Sequence, residues 1–244
     1  MDKLIEINNL NVTVDNKQIL SNINFPIYKG KITSIIGPSG CGKSTLLKVI
    51  NKSLSYGNAS GEVLLNGENI NNLTREKVAG KVGLISQTPA VFPFSIYKNI
   101  SYALEYFKNK SKGEIESIVI EKLKAVGLFH EVKDRLKSDA RSLSGGQKQR
   151  LCIARSLAVE PLLILLDEPC SALDIRNTSI IEELLKELKL DYTILIVTHN
   201  LAQARRISDY TAFIESGNLI EFGDTEELFN SPKCRETREY ISYM

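Results

Sequence analysis

The sequence predicts an α/β fold: a parallel sheet with helices on its faces, an N-terminal antiparallel β part and an inserted helical subdomain. Three observations carry this. Apolar residues near the N-terminus alternate at period two, as in Ile5, Ile7, Leu10, Val12 and Val14. From Ile96 to about Arg141 the apolar spacing changes to three and four, and strand signals stop. Beyond that stretch, short apolar runs alternate with amphipathic helical patterns, and such alternation implies a parallel sheet covered on both faces.

The elements follow in order. Ile23, Phe25 and Ile27 continue the period-two pattern up to a turn at Lys29, Gly30 and Lys31. Ile32–Ile36 is a short apolar strand that runs straight into a glycine-rich loop, and 43–51 has helical spacing. Residues 61–70 read as a hairpin around Asn66-Gly67. Residues 82–86 form another strand. Ile115, Ile118, Val119, Leu123 and Val126 mark a helix in a densely charged stretch. A strand at 162–166, an amphipathic helix through Ile180, Ile181, Leu184, Leu185 and Leu188, and a strand at Thr193–Val197 come next. Asp224 with Glu227 has the form of a capping box opening a late helix. The chain is read as one domain, with a core of 1–88 and 160–244 and a helical subdomain at 89–159.

Bulk composition narrows the function classes. The 244 residues are 43% hydrophobic and 25% charged, enough to bury a core. Lys and Arg total 31 against 29 Asp and Glu, a net charge of +2. That balance gives no electrostatic case for nucleic acid or an acidic lipid surface as a partner. Cys41, Cys152, Cys170 and Cys234 stand at no metal-binding spacing and read as reduced cytosolic thiols. Residues 1–10 lack the apolar core of a signal peptide. The longest apolar runs fall far below the ~18 residues a membrane helix needs. Any membrane role is therefore expected to come through a partner.

Residues 37–45 read Gly37, Pro38, Ser39, Gly40, Cys41, Gly42, Lys43, Ser44, Thr45, which matches G-x-x-x-x-G-K-[ST]. Glycines let the backbone curl so that its N–H groups cradle phosphate oxygens, and the following helix adds its positive N-terminal end. Lys43 is expected to reach the β and γ phosphates, and the Ser44 hydroxyl to bind Mg²⁺. Cys41 lies inside this loop, where oxidation would block the site; a tolerated small residue is the simpler reading. By itself the loop indicates an NTPase or a kinase.

A second motif, Leu143, Ser144, Gly145, Gly146, Gln147, is a serine-glycine turn at a helix start. Such a turn offers N–H donors and a hydroxyl to an anion, and it also serves as a plain N-cap. The order of phosphate loop, Gln87, Leu-Ser-Gly-Gly-Gln, apolar strand with Asp167-Glu168, then His199 resembles the ATP-binding-cassette (ABC) transporter ATPase family across nearly the whole chain. That resemblance implies a P-loop NTPase core of the RecA-like kind and assigns roles. Asp167, at the end of a Walker B-like strand, would hold Mg²⁺ through water. Glu168 would polarise the attacking water. Gln87 would touch Mg²⁺ and sense the transport subunit. His199 would contact the γ-phosphate, and Asp174 would lie in a loop crossing a dimer interface. Ser144, Gly145, Gly146 and Gln147 would close over ATP held by a second copy of the chain, in a head-to-tail homodimer.

Several stretches further resemble the phosphate-import ATP-binding subunit of bacteria, of the PstB type. These are 37–43, Phe92-Pro93-Phe94-Ser95-Ile96-Tyr97, 151–155, 167–174, 191–200 and 219–222. The implied partners are two integral membrane permease subunits and, indirectly, an extracellular substrate-binding protein. The implied location is peripheral, on the cytoplasmic face of the cell membrane. The stretch 51–87 is shorter than that subfamily's. Val14 also stands where the family stacks an aromatic ring on adenine, so Val14 would pack the base without stacking. Phe92, Phe94 and Tyr97 read either as an exposed docking surface for a membrane partner or as subdomain core. A motor for another small anion or ion stays open. A soluble cassette protein usually carries two cassettes or long coiled coils, and a metabolite kinase does not need residues 143–147. His130 reads as a solvated surface residue.

Overall fold

The computed structural model describes residues 1–107 and 110–242. The chain starts with a long antiparallel hairpin, β1 (Lys3–Val14) and β2 (Lys17–Tyr28). Its tight turn is made by Asp15 and Asn16, both at positive φ, as a two-residue hairpin loop requires. β3 (Ile32–Ile36) follows, then α1 (Lys43–Ile50). β4 (Asn58–Leu65) pairs antiparallel with β1 and, through an Asn66-Gly67 turn with both φ values positive, with the short β5 (Glu68–Asn69). α2 (Arg75–Ala79) leads to β6 (Val82–Ile85).

Between β6 and the next strand the described chain is helical: α3 (Ile96–Phe107), α4 (Lys112–Ala125), α5 (Phe129–Val132) and α6 (Gly145–Leu157). Strand and helix then alternate through β7 (Leu163–Asp167), α7 (Ile175–Leu188), β8 (Thr193–Val197) and α8 (Leu201–Ile207). The described chain closes with the antiparallel pair β9 (Tyr210–Glu215) and β10 (Asn218–Asp224), then α9 (Thr225–Asn230) and α10 (Arg235–Ile241).

Among the described residues the strands form one sheet of ten, in the order β5-β4-β1-β2-β10-β9-β3-β8-β7-β6. The half from β9 to β6 is parallel throughout. Every residue of β3 and β8 is buried, which explains their unbroken apolar runs, because a central parallel strand has helices on both faces. The helical insertion shares its core with this sheet. Ile96, Ile100, Leu104, Val119, Leu123 and Leu151 belong to one apolar cluster with Ile194 and Ile196 of β8 and Leu184 and Leu185 of α7.

One local expectation changes. Asp224 does cap α9, accepting the Glu227 N–H at 3.1 Å. The return half of the box is replaced, because the Glu227 carboxylate pairs with Lys233 at 3.3 Å. Complete capping boxes occur at Ser111/Glu114 and at Ser144/Gln147.

The antiparallel and parallel halves meet along a narrow seam. Ser21 N–H donates to the Gly217 carbonyl at 2.8 Å, and β10 pairs with β2 at Asn218 and Ser21. An aromatic row covers the same seam: Phe25 on Phe222 at 5.4 Å, Phe222 on Tyr210 at 5.9 Å, and Tyr210 on Tyr28 at 4.7 Å between ring centres. Gly217 has φ +80, and a Cβ there would lie 2.5 Å from the Ile19 carbonyl oxygen. Gly217→Ala is therefore expected to destabilise the fold by ~1–3 kcal/mol through backbone strain alone. Urea unfolding checks this, and an unchanged midpoint would show that the seam relaxes freely.

Candidate active site

The glycine-rich loop leaves β3 at the carboxyl edge of the sheet, between β8 and β9. Open parallel sheets bind ligands at that edge. Gly37 has φ +148, and a Cβ on it would come within 2.0 Å of the Ile214 carbonyl oxygen of β9. Gly42 has φ +103, and its Cβ would strike Leu20 of β2 at 2.5 Å. Only glycine fits either position. Gly42 is also the N-cap of α1 and provides no side-chain cap, which leaves the first-turn N–H groups for an anion. The Lys43 ammonium is buried and donates to the carbonyls of Gly37 at 2.7 Å and Pro38 at 2.8 Å, which fixes the curl of the loop.

Ser39, Gly40, Gly42, Lys43, Ser44 and Thr45 line a cavity of about 470 Å³, and Gln87, Glu168, His199 and Ile19 complete its wall. From the cavity wall the Ser44 hydroxyl donates to Asp167 at 3.0 Å. Burial pushes the Asp167 carboxyl above the usual range, the Ser44 bond opposes that, and the neighbouring Glu168 charge reinforces it. A half-buried carboxylate beside one hydroxyl is an oxygen donor pair that suits a hard cation. No cluster of three His, Cys, Asp or Glu side chains that could hold a metal occurs among the described residues. Mg²⁺ needs none, since it keeps waters and takes substrate phosphates beside one or two protein oxygens. Ser44 and Asp167 fit it on those terms.

Glu168 is held by its backbone. Its φ is +47, unusual for a non-glycine residue, and its N–H donates to the Val197 carbonyl at 2.9 Å. The Glu168 Oε2 atom accepts the Gln87 amide at 3.1 Å and meets His199 Nδ1 at 3.0 Å. Two residues far from Glu168 in sequence, Gln87 and His199, thus converge on one of its carboxylate oxygens.

The remaining predicted residues lie elsewhere. Ser144, Gly145, Gly146 and Gln147 open α6 and do not line the cavity of their own chain. Ser144 caps the helix, and Gln147 returns to the Ser144 N–H at 3.1 Å while donating to Glu131 at 2.8 Å. Their neighbour is the start of α7. A Cβ on Gly146 would meet Asn177 Oδ1 at 2.3 Å, and Asp174 caps α7 by accepting the Asn177 N–H at 2.8 Å. Val14 ends β1 half-buried, with its methyl 2.8 Å from where a Gly57 Cβ would sit, and it does not line the cavity. The apolar wall residue is Ile19, which no motif marks. His130 is exposed, against the edge of Phe129.

The geometry agrees with comparison to known proteins. A family model described as ABC transporter matches residues 20–171. The chain belongs to the ABC transporter family. It carries that family's ATP-hydrolysing domain. In structure it is similar to CbiO1 of Clostridium perfringens, described as part of the ABC transporter complex CbiONQ. The TM-score is 0.85 at 29% identity, over 100% of this chain and 97% of that one. It shares the fold of a bacterial Atm1-family ABC exporter with ATP bound, with a TM-score of 0.84 at 24% identity, over 99% of this chain and 42% of that one. Among the described residues no helix is long and apolar enough to cross a membrane.

All four cysteines are free. Burial pushes the Cys41 thiol up, and the Lys43 charge offsets this only in part. A raised thiol pKa means less thiolate at a given pH, so Cys41 is expected to alkylate slowly at neutral pH and faster only above the usual thiol range. Cys41→Ser is expected to keep ATP binding within about threefold, as a small neutral replacement does in a packed site. Mass-resolved iodoacetamide labelling across pH and nucleotide titration check both. Rapid labelling at pH 7 would contradict the assignment.

Proposed function

We propose that this ABC ATPase is the motor subunit of an importer for inorganic phosphate, working as a head-to-tail homodimer on the cytoplasmic face of the membrane. One observation carries the ATPase half. The phosphate loop, the Ser44–Asp167 pair and the Gln87–Glu168–His199 group converge on one cavity, while Ser144–Gln147 lies apart. A turn that cannot serve its own loop is accounted for by a second copy whose loop it covers. Ile175, 91% exposed directly after Asp174, supports a partner at that face. The phosphate half rests on the stretches 37–43, 92–97, 151–155, 167–174, 191–200 and 219–222.

The mechanism follows from the side chains. Loop N–H groups and the Lys43 ammonium bind and orient the triphosphate. Ser44 and Asp167 would hold Mg²⁺, with Gln87 beside them, and the ion, when bound, neutralises phosphate charge. Glu168 accepts the proton of the attacking water. Gln87 and His199 fix the direction of that carboxylate by donating to its Oε2 atom. By the family resemblance His199 would also contact the terminal phosphate. Ile19 offers apolar surface on the cavity wall, and Val14, at the end of β1 outside that wall, is the position proposed to pack the base.

Coupling to two permease subunits is assigned to the helical stretch 89–159, taken as a subdomain. Phe92, Phe94 and Tyr102 form an exposed triangle with ring centres about 6 Å apart, and the Arg155 guanidinium lies 4.3 Å from the Phe92 ring centre. Tyr97 packs instead against the core. An extracellular binding protein would deliver cargo to the permeases. A second reading, a motor for another small ion in a complex of the CbiONQ kind, draws support from the near full-length similarity to CbiO1.

Glu168→Gln is expected to keep ATP binding, reduce turnover by about a hundredfold or more and accumulate dimer. Hydrolysis assays with size-exclusion chromatography read this, and normal turnover would remove Glu168 as the base. Phe94→Ala is expected to abolish transport while basal hydrolysis persists; joint loss of hydrolysis and solubility would make it a core residue. Uptake of labelled phosphate in cells with and without the chain decides the cargo, and equal uptake would favour the second reading.

A further inference from the structure

A buried polar network lies behind the cavity, and the roles assigned above do not use it. It begins at Glu182 on α7, which is only 5% exposed. Its carboxylate accepts two bonds from the Arg206 guanidinium, at 3.0 and 2.7 Å, and a third from the Gln203 amide at 3.3 Å. Gln203, 2% exposed on α8, accepts the Thr198 hydroxyl on its carbonyl oxygen at 2.9 Å. The Thr198 hydroxyl in turn accepts the Asn200 N–H at 3.0 Å, and Asn200 Oδ1 accepts the Gln203 N–H at 2.9 Å. The chain of bonds therefore clasps His199 from both sides.

The Glu168 turn adjoins this network. Cys170 and Gln203 line one cavity with Glu168, and Ser171 ties the turn by donating its N–H and hydroxyl to the Glu168 carbonyl at 3.2 and 3.1 Å. The network lines a second cavity of about 500 Å³ together with Glu168, Ser171 and His199.

Donor and acceptor identities make the relay one-directional. A carboxylate can only accept, so Gln203 must turn its NH₂ to Glu182 and its carbonyl to Thr198. The Thr198 hydroxyl must then donate to Gln203 and keep a lone pair for Asn200. Arg206 holds the Glu182 carboxylate in place with two hydrogen bonds, because a buried carboxylate without a partner would be costly. Each member's orientation is thus set by the one before it.

We propose that Gln203, anchored by the Glu182–Arg206 pair and relayed through Thr198, is a positioning residue that keeps His199 and Glu168 aligned for the attack of water. The proposal rests on the reading of Glu168 and His199 as hydrolytic residues. No network member lines the cavity of the phosphate loop. Losing the relay should therefore slow turnover and leave nucleotide binding intact.

The test compares Thr198→Val, Thr198→Ser, Gln203→Met and Glu168→Gln in the full-length protein, with kcat and KM for ATP, equilibrium ATP binding and thermal unfolding as readouts. Valine keeps the shape of threonine and loses the hydroxyl, whereas serine keeps the hydroxyl and loses the methyl. The expected result is kcat reduced by about tenfold to a hundredfold in Thr198→Val and Gln203→Met, with ATP binding unchanged and Thr198→Ser near the parent rate. A merely structural role would reverse the threonine pair, with serine worse than valine. It would also lower binding, kcat and unfolding temperature together. Either outcome overturns the proposal, and so does an unaltered kcat in Thr198→Val and Gln203→Met. If Gln203→Met fails to fold, the threonine pair decides alone. If Glu168→Gln itself turns over normally, the reading of the site fails rather than the relay.

Discussion

The structure turns on a backbone squeeze at the phosphate loop. Gly37 is pressed against the Ile214 carbonyl of β9, and Gly42 against Leu20 and the Ile19 carbonyl of β2. Neither contact tolerates a Cβ atom, so the loop lies closer to the sheet than any other residue would allow. β2 belongs to the antiparallel half and β9 is hydrogen-bonded to the parallel half. The squeeze therefore fixes the loop relative to both halves at once. The seam at Ser21, Gly217 and Asn218 holds those halves together a few residues away.

Parallel topology supplies the rest of the site. β3, β8, β7 and β6 are consecutive neighbours and all run the same way. Their carboxyl ends therefore fall on one edge, and the residues just beyond each strand gather there. These are the loop after Ile36, Gln87 after β6, Asp167 and Glu168 at the end of β7, and Thr198 and His199 after β8. The converging carboxylate, amide and imidazole are a consequence of sheet order, not of proximity in sequence. The positive φ of Glu168 is the local strain that aims its side chain into this edge.

The helical insertion has a different relation to the site. Its apolar face joins the core on one side of the sheet, so it is packed firmly, yet its Ser144–Gln147 turn faces the start of α7 and not the loop. At that turn one serine hydroxyl and one glutamine finish the helix. The exposed Phe92, Phe94 and Tyr102 lie on the same insertion.

Local chemistry was legible in the sequence. Glycine spacing announced the loop, period-two runs the strands, the Asn66-Gly67 pair its hairpin, and a serine before two glycines the start of α6. Each of these depends on conformational preferences of residues adjacent in the chain. Tertiary structure alone decided that Ile19 and not Val14 reaches the cavity, because this depends on how the β1–β2 hairpin sits on β10. It alone placed Tyr102 beside Phe92 while Tyr97 turned inward, and paired Glu227 with Lys233. The relay from Glu182 through Gln203 to Thr198 likewise joins α7 to α8 and the end of β8. Periodicity describes which face a residue shares with its neighbours in one element, and it carries no information about which element that face will meet.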